Sequence, residues 1–197
     1  MEKAQGNERR NLKSDGAALS AGVHIKRNTP VKTPALTLSL ALFATAAAAD
    51  IQVRFKDGAP KDRFAVTNTG TCDLGPAQVK IDLSGSPFGL IFDVTSQGAG
   101  VQVFQPFEIA TGGRYLAATP DIADGDNAVT LDFTSLPAGD TFAFTIDIDD
   151  TVKSREIIVS GEEIVGAMAT VSLGAAGASA VFDADGLAEI GFAACTS

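Results

Sequence analysis

TFAFTIDIDD, residues 141–150, holds the clearest fold signal in this chain. Apolar residues occupy every second position of this segment, at Phe142, Phe144, Ile146 and Ile148. Successive side chains of a strand point to opposite faces, so this two-residue period predicts a strand with one face in a core. Asp147 and Asp149 would then share the other face.

The same alternation recurs through much of the chain after residue 50. Further alternating segments lie at 51–55, 79–83, 101–107 and 129–133, with shorter apolar groups at 157–159, 171–173, 181 and 187–192. Turn signals rich in Gly, Pro and Asp separate them. This spacing predicts an all-β fold from Ile51 to Phe192, a single antiparallel β-sandwich of about 8 to 12 strands, immunoglobulin-like or jelly-roll-like.

Turn chemistry adds detail to this prediction. A Pro-Ala-Gly turn at 137–139 leads into the strand of residues 141–150, an arrangement common in immunoglobulin-like bacterial surface modules. The Ala- and Gly-rich segment 174–180 predicts a flexible loop. Asp183-Ala184-Asp185-Gly186 predicts a hairpin turn that joins the last two strands.

Residues 31–49 have the order of features of a secretory signal peptide. Lys32 supplies positive charge, Ala35–Ala44 is a short apolar run, and Ala46–Ala49 offers small residues for cleavage before Asp50. The run is shorter than the roughly 20 apolar residues of a membrane span, so a buried core helix is the alternative. We expect an exported protein, periplasmic, secreted or at the cell surface.

Residues 1–30 form a polar extension without an apolar period. If the codon of Val31 is GTG, translation would begin there, with Lys32 as the second residue of an ordinary signal peptide. We therefore interpret residues 1–30 as the product of a mis-assigned start. The expected domain spans residues 50–197, a length typical of one domain.

Charge and composition narrow the classes of function. Residues 50–197 contain 8 Lys and Arg against 21 Asp and Glu, a net charge of −13. Such a charge repels nucleic acid and anionic membrane surfaces. The single histidine, His24, precedes the predicted cleavage site, so the domain has no Ser-His-Asp or Cys-His site. We expect no catalytic residues and a protein that is not an enzyme.

The two cysteines, Cys72 and Cys195, are predicted to form a disulfide in an oxidising compartment. Two buried free thiols are the alternative.

Two acidic clusters are the candidate metal ligands. They consist of Asp121, Asp124 and Asp126 in one segment, and Asp147, Asp149 and Asp150 in another. Calcium takes six to eight oxygen ligands, which two such loops at one end of a sandwich could supply. The alternative interpretation is that these are solvated acids at strand ends and turn-forming Asp residues. Asp62-Arg63 is interpreted as a local surface ion pair. No cofactor other than Ca²⁺ is expected.

Several stretches between Phe55 and Ala167 resemble the wreath-type domain of the marine-sponge aggregation factor core protein, and the short bacterial proteins that share this likeness. The matching stretches are FKDGAPKDRFAVTNTGTCDLGPAQVKIDLSGSPFGLIFDV, GAGVQVFQPFE, DGDNAVTLDF, LPAGDTFAFTIDIDDT and SREIIVSGEEIVGA. The resemblance implies a secreted adhesion or aggregation protein, assisted by calcium, whose partner is an extracellular protein, a glycan or another copy. A periplasmic or secreted module that binds a glycan or another ligand is the alternative.

Overall fold

A computed structural model describes residues 50–98, 100, 104–152 and 159–191. The named strands lie between Ile51 and Ile190. The predicted extension at 1–30, the predicted signal peptide at 31–49 and Cys195 lie outside the described residues. Those three assignments therefore stay predictions.

The described residues form eleven strands and two short 3-10 helices. The strands are β1 (Ile51–Lys56), β2 (Asp62–Asn68), β3 (Ala77–Asp82), β4 (Ile91–Phe92), β5 (Glu108–Thr111), β6 (Ala128–Phe133), β7 (Thr141–Ile146), β8 (Ile148–Asp149), β9 (Met168–Leu173), β10 (Ala176–Val181) and β11 (Leu187–Ile190). The 3-10 helices are Leu83–Gly85 and Gly113–Tyr115.

Every named strand pairing is antiparallel. The first sheet has the order β11-β1-β2-β7-β5 and the second has the order β10-β9-β3-β6, while β4 and β8 form a separate two-stranded ladder. The predicted all-β antiparallel sandwich is confirmed.

The core lies between the inward faces of the two large sheets. Phe55, Phe64 and Phe144 are cross-strand partners on β1, β2 and β7, and their neighbouring ring centroids are each 5.2 Å apart. The second sheet contributes aliphatic side chains, among them Val79, Leu131 and Val171, which are fully buried. Burying each such side chain stabilises the fold by about 1.5–3 kcal/mol, so the shared apolar interior holds the two sheets together.

Two predictions about the end of the chain need correction. The segment predicted as a loop, 174–180, is mostly β10, which pairs with β9 over six residues. The turn at 183–186 exists, since the Gly186 amide donates to the Asp183 carbonyl over 3.0 Å. However, β10 and β11 belong to different sheets, so this turn connects the sheets and closes no hairpin within one of them.

Asn68 ties the turn before β7 to the segment that follows β2. Its buried amide donates to the carbonyls of Cys72 and Leu136, over 2.9 and 2.8 Å. The Asn68 carbonyl accepts the Gly139 amide over 2.8 Å, and Gly139 has a φ of 80°. The predicted turn at 137–139 is therefore present, and its glycine supplies the positive φ that the turn requires.

Candidate metal centre

A cluster of three aspartates lies at the ladder of β4 and β8. Asp93 follows β4 directly, Asp147 lies between β7 and β8, and Asp149 ends β8. The Asp93 amide donates to the Asp147 carbonyl over 3.1 Å, and Asp149 is the cross-strand partner of Ile91. This short ladder therefore brings together carboxylates from segments more than 50 positions apart in the sequence.

The three carboxylates are buried and close together. Asp93, Asp147 and Asp149 are 1%, 4% and 1% exposed, and one oxygen from each lies within 4.8 Å of the other two. Both carboxylate oxygens of Asp93 are buried, and neither receives a hydrogen bond from a donor in the described part of the chain. Buried ionised carboxylates are costly unless donors or cations compensate them.

Burial and mutual repulsion raise the pKa values in this region. Removal from water raises the pKa of Asp93 to about 7, with the neighbouring carboxyls of Asp124 and Asp149 adding to the effect. Burial raises the pKa of Asp147 to about 7, and the charge of Asp149 contributes. Each raised pKa means that the ionised form of the carboxyl is disfavoured at its position in the folded protein.

Asp62 is another buried acid, placed at the inward-facing start of β2. Burial raises its pKa to about 8 and the charge of Asp147 adds to this, although the amides of Gly58 and Ile148 donate to its carboxylate and partly oppose the shift. The predicted surface ion pair with Arg63 is wrong, because Asp62 is only 2% exposed and each of its carboxylate oxygens accepts a hydrogen bond from a backbone amide.

The structure divides the six predicted metal ligands. Asp147 and Asp149 belong to the cluster, and Asp150 is also buried. Asp124 lies beside Asp93, and its Oδ1 accepts the amides of Val94 and Thr95 over 3.0 and 3.1 Å.

Asp121 and Asp126 of that prediction are exposed. Asp126 accepts the amide of Ala123, as a turn-forming residue does. The alternative interpretation as solvated acids is therefore wrong for Asp147, Asp149 and Asp150, which are buried.

Sequence reasoning missed Asp93 and the burial of Asp62. Asp62 had a usable signal, because it shares the two-residue phase of the buried Phe64 and Val66 on β2. The sequence signal for Asp93 was weaker. Asp93 follows Ile91 and Phe92, and the strand they form has only two residues, too few to establish a period.

The cluster consists of hard, anionic oxygen ligands, which suit a cation such as calcium or magnesium and not the nitrogen and sulfur preference of zinc. Carboxylate pairs can also serve as general acid and base in glycoside hydrolysis, but that chemistry needs contact with substrate. At 1–4% exposure these side chains do not face an open cleft.

A second feature is the outer face of the β10-β9-β3-β6 sheet. Most side chains that point away from the core there are polar and hydrogen-bonding. They include Gln78, Lys80, Thr130, Asp132, Thr170, Ser172 and Ser179. Met168 and Val181 are exposed apolar side chains at one end of the same face. Gln78 donates to Asp132 over 2.8 Å. A shallow depression of about 370 Å³ lies at this end of the sheet and includes Gln78, Asp132 and Ser172 in its lining.

Comparison with known proteins does not assign this chain to a family. No family model matches the chain, and no curated protein matches it. Among solved structures, it is similar to the carbohydrate-binding module CBM3b of the cellulosomal cellobiohydrolase 9A from Clostridium thermocellum. The match has 16% identity and a TM-score of 0.33, and covers 65% of this chain and 94% of that one. A similarity of this size carries no functional information about this chain.

No helix among the described residues is long and apolar enough to cross a membrane.

Proposed function

We propose that this chain is an exported, non-catalytic binding module that recognises a glycan through the outer face of the β10-β9-β3-β6 sheet. The observation that supports this is the array of exposed amide, hydroxyl and carboxylate groups on that face, beside a shallow depression. Sugars present closely spaced hydroxyls, each able to donate and accept, and an array of Gln, Ser, Thr and Asp side chains complements them.

The strand register arranges these groups in two rows across the sheet. Gln78 is the cross-strand partner of both Asp132 and Ser172, and Lys80 is the partner of both Thr130 and Thr170. Thr170 in turn lies opposite Ser179, with their hydroxyls 2.9 Å apart. Recognition on this face would depend on hydrogen bonds, since the aromatic rings named in the core are turned inward.

Adhesion by self-association is the second candidate, and the edge strand β10 favours it. Among the described strands β10 pairs with β9 alone, so its other edge can accept a strand of another copy. Val181 and Met168, which are cross-strand partners, are 57% and 39% exposed. This candidate also fits the resemblance to the sponge aggregation factor core protein.

The test compares two matched pairs of polar residues on a panel of soluble and insoluble polysaccharides. Gln78→Ala with Asp132→Ala removes a cross-strand amide–carboxylate pair from the proposed binding face. Gln52→Ala with Glu189→Ala removes the equivalent exposed pair, 3.4 Å apart, from the other sheet. We expect the first double variant to lose polysaccharide retention and the second to keep it.

Equal retention by both double variants would contradict the glycan-binding face. A protein that binds no polysaccharide but forms dimers or larger species in light scattering, and loses them on Val181→Asp, would favour adhesion through β10 instead.

A further inference from the structure

The cluster of Asp93, Asp147 and Asp149 has a property that a purely structural set of acids would lack. In folded proteins, buried carboxylates are normally satisfied by hydrogen-bond donors or by cations. Asp93 is 1% exposed, and both of its oxygens lack a described donor. Asp93 also takes no part in the ion pairs between described residues, which are Lys61–Glu108, Lys80–Asp82 and Arg114–Asp140.

We propose that Asp93, Asp147 and Asp149 form a calcium site. The three ligand oxygens lie within 4.8 Å of one another. Two oxygens bound to one calcium ion at about 2.4 Å can be at most about 4.8 Å apart, so oxygens within that limit can share one ion. We choose calcium because it accepts a flexible set of oxygen ligands, whereas magnesium requires a nearly ideal octahedron at about 2.0–2.1 Å.

The backbone approaches the carboxylates of the cluster closely at two glycines. Gly100 lies against them so closely that a Cβ at this position would collide with the carboxylate oxygens of Asp93 and Asp149. A Cβ at Gly98 would likewise collide with the carboxylate of Asp124. Glycine at both positions therefore lets the backbone approach these carboxylates without a steric clash.

A calcium ion bound here would have a structural role. Three buried carboxylates repel one another, and a divalent cation would replace that repulsion by attraction. The ion would join the segment after β4 to the β7–β8 segment, which are distant in sequence. Since the outer face of the β10-β9-β3-β6 sheet carries none of the three ligands, calcium binding here is independent of glycan binding there.

The experiment is calorimetric titration of the full, chelator-treated protein with calcium chloride, with melting curves recorded in parallel. We expect one calcium per chain, with a Kd at or below the range of about 10⁻⁴–10⁻³ M found in extracellular modules, and a higher Tm in calcium. Asp93→Asn should abolish the heat of binding and the Tm increase. Without calcium, it should melt no lower than the parent protein, because it removes a buried, unsatisfied charge.

Asp126→Asn is the matched control, since it changes an exposed aspartate of the neighbouring loop and should leave calcium binding unchanged. Gly100→Ala is a second test that keeps every carboxylate. It should weaken calcium binding by at least about tenfold, the usual cost of disturbing the surroundings of metal ligands.

Unchanged calcium binding in Asp93→Asn would overturn the site, as would indifference of the parent protein to about 5 mM calcium. Magnesium binding as tight as calcium binding would overturn the choice of ion. The Gln78→Ala and Asp132→Ala variant should bind calcium normally, so the glycan and calcium proposals fail separately.

Discussion

At the scale of single residues, the unusual feature of this protein is its buried carboxyl groups. Asp62 shows how backbone amides near a strand can hydrogen-bond to such a group. The carboxylate sits at an inward position of β2, across from Ile146, and accepts amides from Gly58 and Ile148 over 3.1 and 3.2 Å. These donors do not fully offset the loss of water, and the pKa therefore remains raised to about 8.

Asp62 should make the calcium-free protein less stable as the pH rises. Its folded pKa of about 8 exceeds the ordinary 3.8, so the folded state holds a proton that the unfolded chain releases. The resulting stabilisation is complete below pH 3.8 and is lost as the pH rises towards 8. We expect the unfolding free energy of the parent, minus that of Asp62→Asn, to fall steadily as the pH rises across this window. Urea denaturation in chelator measures it.

Asp126→Asn, which alters an exposed carboxylate, serves as the control and should show no comparable trend. A difference between the parent and Asp62→Asn that stays constant across the window would mean that Asp62 is ionised in the folded protein at neutral pH.

At the scale of elements, the sequence predicts those strands that have one apolar and one polar face. β1, β3, β6 and β7 follow this rule, and their apolar positions are the buried ones. β5 has four exposed residues and β10 consists mainly of Ala, Gly and Ser, so neither has a contrast between its faces that a pattern could reveal. β10 forms because β9 offers it a full set of backbone partners.

The candidate site was predictable only in part for a related reason. Asp147 and Asp149 alternate with isoleucines, which placed them together on one face. In the structure that face is covered as well, so residues 146–150 are all buried and the alternation no longer separates core from solvent. Asp93 joins them through a long-range pairing, which no local pattern encodes.

The turn before β9 gives a prediction at this scale. Gly166 has a φ of 96°, and a Cβ there would lie 2.5 Å from the carbonyl oxygen of Gly85 in the first 3-10 helix. Gly139 also has a positive φ, of 80°, but has nothing within 4 Å of its Cβ direction. We expect Gly139→Ala to cost about 1–2 kcal/mol from backbone strain alone. Gly166→Ala should cost clearly more, since two backbones must also separate.

Urea denaturation of the two alanine variants measures this difference directly. The Ser86 hydroxyl also donates to the Glu163 carbonyl over 2.7 Å, so the turn and the helix are already in close contact. Equal losses of stability would show that the turn can move away from the 3-10 helix at little cost.

At the scale of the whole molecule, the first and last of the described strands, β1 and β11, are neighbours in the first sheet. Ile51, at the start of β1, is the cross-strand partner of Ile190 on one side and of Asn68 on the other. The Asp50 carbonyl accepts the amides of Thr69 and Gly70, over 2.9 and 3.1 Å. Cys72 follows this contact closely, and its carbonyl is held by Asn68. The last described strand therefore ends beside the segment that carries Cys72.

This arrangement supports the predicted disulfide between Cys72 and Cys195. Cys195 is five positions beyond Ile190, and five extended residues span about 17 Å, enough to reach the neighbouring segment. The bridge would close a loop of about 120 residues, which by the chain-entropy model stabilises by up to about 4–5 kcal/mol. We expect Cys72→Ser to lower the Tm in oxidising buffer. In reducing buffer, where the parent protein loses the same bridge, the two should melt alike, and alkylation of the native parent should label neither cysteine. Labelling of both cysteines would show that the bridge is absent. A Tm difference that persists under reduction would mean that Cys72 stabilises the sandwich by packing.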